Sequence, residues 1–180
     1  MAYRKQGASV PPWAVPWIHV YDDVARPHGL TCGLIHGVLL DKPHMNQTAI
    51  AARLGISRAT VCRHILTIRR DGLVDSGSAT FTPYPLDLAS TWGDRTAVAV
   101  LMSVQRYAMM NSRTCWASVA NIGARVGVKA TTTRKALRRL EHRYRVVYRL
   151  ERPYLSARYS VRDDQLNQIV GIPDTMPIPM

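Results

Sequence analysis

Cationic side chains recur at helical spacing in two stretches of the chain. Arg58, Arg63 and Arg70, interleaved with Ser57, Ala59, Thr60 and Thr67, make up the first; Lys129, Arg134, Lys135, Arg138, Arg139 and His142, interleaved with Thr131 and Thr132, make up the second. Guanidinium and ammonium groups set along one helix face can neutralise phosphates, and the planar arginine fork also matches the O6/N7 edge of guanine. The second stretch is the denser: residues 129–149 carry eight cations against Glu141 alone, a net charge of +7, while residues 57–77 carry four against Asp71 and Asp75, a net charge of +2. A solvated helix face interleaves acids at i+4, and the second stretch does so only once, so its charges repel one another unless an external polyanion neutralises them. The whole chain points the same way, with 24 Lys and Arg against 12 Asp and Glu in 180 residues and a net charge of +12. Twenty of the cations are arginine, a bias that GC-rich coding would also produce; the net charge does not depend on its origin.

Other chemistries lack their residues. The six histidines show no H-x-x-x-H or H-E-x-x-H spacing, so no metal site is expected. Cys32, Cys62 and Cys115 are odd in number and far apart, which excludes a disulfide framework and a C-x-x-C metal pair and suits small core fillers in a reducing compartment. The adjacent acids Asp22 and Asp23 read as residues flanking a turn, not as a catalytic pair. Neither a P-loop nor a G-x-G-x-x-G motif occurs, and no stretch of 18 apolar residues exists. The expectation is a non-enzymatic, cofactor-free protein of the cytoplasm and nucleoid, without a membrane segment, whose partner is double-stranded DNA. With 47% hydrophobic residues the chain has the material for a core.

The elements that would position these cations repeat. Shifting the chain by 72 residues lays 50–56 (IAARLGI) on 122–128 (IGARVGV) without a gap, and over 48–74 the identities are Ile50, Ala52, Arg53, Gly55, Thr60 and Val74. They fall where a helix-turn-helix needs them. Residues 48–54 read as a short helix, Gly55 as the left-handed turn and Ser57 as the N-cap of a second helix over 57–70 whose Val61, Ile65 and Ile68 form one apolar stripe. The opposite face then carries Ala59, Arg63, Leu66, Arg70, Thr60 and Thr67, with Arg58 in the first turn. Residues 71–74 end the helix and start a strand. The second copy reads as a helix over 118–126, a turn at Gly127, and a helix over 130–143 with Thr133, Leu137 and Leu140 inward. A strand from Arg145, a turn at Arg152-Pro153 and a returning strand to Val161 follow. Helices over 30–40, with Thr31 as a candidate cap, and over 96–110, capped by Asp94, complete the two three-helix cores. Residues 17–21 alternate as a strand, and Trp13, Trp17, Trp92 and Trp116 are expected to anchor cores.

Residues 114–143, TCWASVANIGARVGVKATTTRKALRRLEHR, resemble the helix-turn-helix domain of phage and plasmid replication proteins. The pattern of that domain is a Cys-Trp-Pro-Ser opening, a Gly-Val/Ile-Ser turn and an Arg-rich recognition helix. Ala117 stands here for its proline, and Lys129-Ala130 for its Ser-Arg. Residues 17–75 are similar to the winged helix that opens many replication and regulatory proteins of mobile elements.

The fold class expected is mainly α with small β-wings, an α+β arrangement of two tandem winged helix-turn-helix domains. An arm over 1–16 would lead into domain one (17–82), a proline-rich linker (83–95), domain two (96–162) and a tail (163–180). The resemblance implies sequence-specific duplex binding by a replication initiator or transcriptional regulator of a plasmid, phage or other mobile element. The alternative is that one winged helix binds DNA and the other a protein, either a second copy of the chain or a replication or partition component; exposed Leu66 and the weaker charge of the first copy keep it open.

Overall fold

Glycines and capping side chains divide the helical stretches of this computed structural model, which describes residues 17–74, 80–110, 114–150 and 158–162. Strand β1 (Trp17–Tyr21) runs into α1 (Asp22–His28) and, after Gly29, into α2 (Leu30–Asp41). Helices α3 (Gln47–Leu54) and α4 (Arg58–Arg70) follow, then β2 (Phe81–Pro85), α5 (Leu86–Trp92) and α6 (Arg95–Met110). The remainder is β3 (Thr114–Cys115), α7 (Val119–Arg125), α8 (Ala130–His142), β4 (Val147–Leu150) and β5 (Arg158–Val161). The described residues are therefore mainly helical with small antiparallel sheets.

Two helices serve as central posts because they are apolar all round, the pattern of helices buried on every side. In α2 every residue from Cys32 to Val38 is buried, and in α6 every residue from Ala97 to Val104. Helix α2 takes β1 and α1 on one side and the α3–α4 pair on the other, while α6 takes α5, α7, α8, β2 and the three-stranded sheet. That sheet has the order β3-β5-β4, and its inner face is Cys115, Val147, Tyr159 and Val161. Strands β1 and β2 form a separate antiparallel ribbon with Trp17 opposite Pro85 and Tyr21 opposite Phe81. The prolines of β2 are tolerated because a two-stranded ribbon leaves one side of each strand without a ladder to interrupt.

Helix positions agree with the apolar stripes to within a few residues. Asn46 caps α3 through the Ala49 N–H (2.9 Å), Ser57 caps α4 through the Thr60 N–H (3.1 Å), and Ser118 caps α7 through the Asn121 N–H (3.1 Å). Asp94 accepts the Ala97 N–H (3.0 Å) at the start of α6, as expected.

Several expectations fail. Asp22 and Asp23 open the helix α1 instead of flanking a turn. Thr31 caps nothing, because α2 begins directly after Gly29 (φ +87°), whose conformation sets the elbow between α1 and α2. Leu73 and Val74 are not in a strand, and residues 75–79, where the rest of that wing was expected, lie outside the described residues. The stretch 83–95, expected as linker, contains the end of β2 and the whole of α5. The core does not divide there: Ile18, Ile35, Ile50 and Val61 belong to one continuous buried cluster with Leu101, Ile122, Leu137 and Val147. Trp116 is 56% exposed, with the Arg158 guanidinium over its ring, and so is no core anchor. Trp17 and Trp92 pack against the core from its margin. Trp13, Pro153, the arm 1–16 and the tail 163–180 lie outside the described residues.

Candidate nucleic-acid interface

Helix α4 is held by three buried side chains, Val61, Ile65 and Ile68, against α2 and α3. This leaves Arg58, Ala59, Arg63, Leu66, Arg69 and Arg70 exposed. Three polar residues of the expected set, Ser57, Thr60 and Thr67, are engaged in shaping the helix. The Ser57 hydroxyl caps it and lies 2.8 Å from the Thr60 hydroxyl, and the Thr67 hydroxyl donates to the Arg63 carbonyl at 3.3 Å. Ser57 and Thr60 thus fix the first turn, in which Arg58 stands exposed at the helix start. Arg70 is not a free cation: its Nε and Nη2 reach the Asp71 carboxylate at 2.8 and 3.2 Å, and Asp71 is held below its usual range by that contact. Arg69, not expected on this face, is exposed at its edge; the 100° step from Val61 puts it on the flank and was the available signal.

Helix α8 repeats the arrangement with more charge. Thr133, Ala136, Leu137 and Leu140 are buried, and Lys129, Thr131, Thr132, Arg134, Lys135, Arg138 and His142 are exposed. Thr133 is buried without penalty because its hydroxyl donates to the Lys129 carbonyl at 3.0 Å. It packs over Gly123 of α7, where a Cβ would collide with the Thr133 hydroxyl and the Val128 carbonyl. Lys129 occupies the N-cap position and no side chain caps the helix, whose start carries the exposed Lys129, Thr131 and Thr132. A helix N-terminus in that state suits an anion.

Arg139 departs from the expected set. Its Nε and Nη2 donate to Asp94 at 2.6 and 3.3 Å, across 45 residues, so it ties α8 to the start of α6 instead of projecting a free charge. His142 stands beside Glu141 at 3.7 Å. Beyond the helix end, the Tyr144 ring stacks on Trp92 of α5 (centroids 3.9 Å apart, 9° between planes), and Arg143 lies over the Tyr144 ring. The C-terminal end of α8 is therefore clamped twice, by Asp94 and by Trp92, and its N-terminal half carries the exposed Lys129, Arg134 and Lys135. Arg143, Arg145 and Arg149 are exposed as well, and Arg145 takes a left-handed conformation (φ +57°) ahead of β4.

Among the described residues no group of histidine, cysteine and acidic side chains could hold a metal ion, and no helix is long and apolar enough to cross a membrane. Cys32 is buried in α2, and that burial together with Asp71 pushes its thiol up to about 11; burial raises Cys115 too.

Among known families, residues 34–75, from the middle of α2 to just beyond α4, match the family described as winged helix-turn-helix DNA-binding. Comparison with the curated proteins and with the solved structures finds no match. The matched segment contains α3, the Gly55 turn and the Ser57-capped α4, the first of the two cationic helices.

Proposed function

We propose that the protein binds double-stranded DNA sequence-specifically through both α4 and α8, without chemistry, as a regulator or replication initiator of a mobile element. The observation that carries this is a recurrence: a short helix, a left-handed glycine and a longer helix, buried by one apolar stripe and cationic on the opposite face, occur at α3–α4 and again at α7–α8. The family match supports the first occurrence, and the greater exposed charge supports the second. In this reading Arg58, Arg63, Thr131, Lys135 and Arg138 offer side chains to base edges, while Lys129, Arg134, Arg69 and the uncapped start of α8 hold phosphates. Ser57 and Thr60 orient the first turn of α4, and Arg139 orients α8.

A second reading keeps α8 as the DNA reader and gives α4 to a protein partner. The observation favouring it is Leu66, 61% exposed at the middle of the α4 outer face.

One selection experiment addresses both readings. The protein is used to enrich duplexes from a random pool, and Arg63→Ala and Arg138→Ala are then titrated against the enriched duplex at several salt concentrations. The proposal expects affinity to fall steeply with salt and both variants to bind more weakly, Arg138→Ala losing more on every duplex. If Arg63→Ala binds as the unmodified protein does, α4 is the protein-facing helix; a flat salt dependence contradicts DNA binding altogether.

A further inference from the structure

We infer that Asp22 and Arg125 are positioning residues that lock α4 and α8 into one rigid reading unit, so that the protein accepts a single spacing between two DNA half-sites. The inference rests on the proposal that both helices read DNA.

The two cationic helices are joined by bridges that no flexible linkage would contain. In the first, the Arg125 Nε at the end of α7 donates to the Asp22 Oδ2 at the start of α1 at 3.1 Å, across 103 residues, with both side chains more than nine-tenths buried. Helix α1 then ends in an elbow that touches both readers. His28 Nδ1 lies 3.7 Å from the Asp71 carboxylate at the C-terminal end of α4. The next residue, Gly29, packs on Gly127, the turn before α8, so closely that a Cβ on Gly127 would collide with the Ala25 carbonyl and the Gly29 backbone. The Leu30 N–H donates to the Gly127 carbonyl at 3.3 Å. A second bridge runs along neighbouring residues at the start of α6. Arg95 donates from Nη1 to the Leu54 carbonyl at the end of α3 (3.2 Å), and Asp94 holds Arg139 of α8.

The residues aligned by the 72-residue shift separate a local use from a bridging one. Arg53, in the position of Arg125, pairs with Asp41, itself 52% exposed, within its own half at 3.7 Å. Gly55, in the position of Gly127, has nothing within 4 Å of where a Cβ would stand. The same two positions that are local and open at α3 make close contacts between halves at α7, the Arg125 one buried. A buried ion pair gives little net stability but accepts few geometries, which suits fixing one arrangement. With both helices on one body, a site whose halves are displaced cannot engage both at once, and the gain from the second contact is lost.

The test uses the full chain and reads geometry separately from binding. Spin labels at Leu66→Cys on α4 and Tyr148→Cys on β4, in a Cys62→Ala background, report the distance between halves without DNA. The duplex enriched by the unmodified protein is then rebuilt with central insertions of roughly 2, 5 and 10 bp, covering a fraction, a half and a whole helical turn. The expected result is one narrow distance distribution and a loss of at least about tenfold in affinity for every insertion. In Asp22→Asn/Arg125→Gln, whose folding is checked by circular dichroism, the distribution should broaden and the insertions should be better tolerated. Should that variant not fold, Asp22→Leu/Arg125→Met takes its place. A broad distribution in the unmodified protein, tolerance of the insertions, or a folded variant that stays narrow and intolerant each overturns the inference. If no duplex is enriched, the inference falls together with the reading of the two helices, and a narrow distribution in that case identifies the reading as the part that failed.

Discussion

A single hydroxyl sets up Arg58, the residue that the proposal assigns to base reading. Ser57 caps α4 at 3.1 Å and leaves Arg58 exposed in the first turn, where a recognition helix enters the major groove most deeply. Arg58→Ala should therefore cost about 1–3 kcal/mol on an enriched duplex and little on a scrambled one, read by competition titration. An equal loss on both would make Arg58 a phosphate clamp. Arg138 and Arg139 look equivalent in sequence and should separate in experiment. Arg138→Ala should weaken binding to every duplex, whereas Arg139→Ala releases Asp94 and should lower thermal stability, by up to about 1 kcal/mol for a pair this accessible to water. The sequence could not distinguish them, because the partner that decides the matter lies 45 residues away. Cys32 offers an independent check on the core. With its thiol pushed up to about 11, it should resist iodoacetamide at pH 8 while half-buried Cys62 is modified first; peptide mass spectrometry reads the order, and equal rates would contradict the burial of α2.

Elements with a long apolar stripe were legible, and those whose form depends on a distant partner were not. Helices α2, α4, α6 and α8 could be placed from Val61-Ile65-Ile68, Thr133-Leu137-Leu140 and the all-apolar runs, because burial on one face or on all faces leaves a local periodicity. Helix α1 has only seven residues and contains Pro27, and β2 carries Pro83 and Pro85; local rules read both as breaks. Strand β2 is fixed by pairing with β1 at least 60 residues away, and α1 by packing on α2 and α7, which no local window contains. The turn glycines carry a prediction at this scale. Gly55 (φ +60°) stands in open space, so Gly55→Ala should cost only the left-handed penalty of about 1 kcal/mol. Gly127 (φ +68°) has the same conformation but no room, so Gly127→Ala must also push α1 away from α7 and should cost several-fold more. Urea unfolding of the two variants measures the difference, and similar losses would mean that α1 does not pack against that turn.

At the scale of the whole molecule, the described residues share one buried cluster, and the Asp22–Arg125 ion pair that crosses between the halves is better suited to fixing an arrangement than to stabilising it. Burial pushes Asp22 up, against the downward pull of Arg125, Arg26 and Arg106, so the cost of removing its charge from water is not fully offset. The folded protein favours the protonated carboxyl more than the unfolded chain does; that contribution is present in full below the ordinary aspartate value and is lost as pH rises through the raised one. Asp22→Ala, which strands Arg125, should then cost about 3–5 kcal/mol, while Asp22→Leu/Arg125→Met should be close to neutral, as compared by urea unfolding at pH 7. This contact was invisible in the sequence, where the composition near residues 83–95 suggested a linker between independent halves. The exposure of the candidate face was largely legible, since charge and helical spacing are local properties; Arg70, Arg139 and His142 depart from it in having acidic neighbours. The central claim, that both α4 and α8 read one duplex, is tested most directly by hydroxyl-radical footprinting of the enriched duplex with the unmodified protein, Arg58→Ala and Arg138→Ala. The account predicts two protected patches, one weakened selectively by Arg58→Ala and the other by Arg138→Ala. A single patch, or two that fade together in either variant, would contradict it.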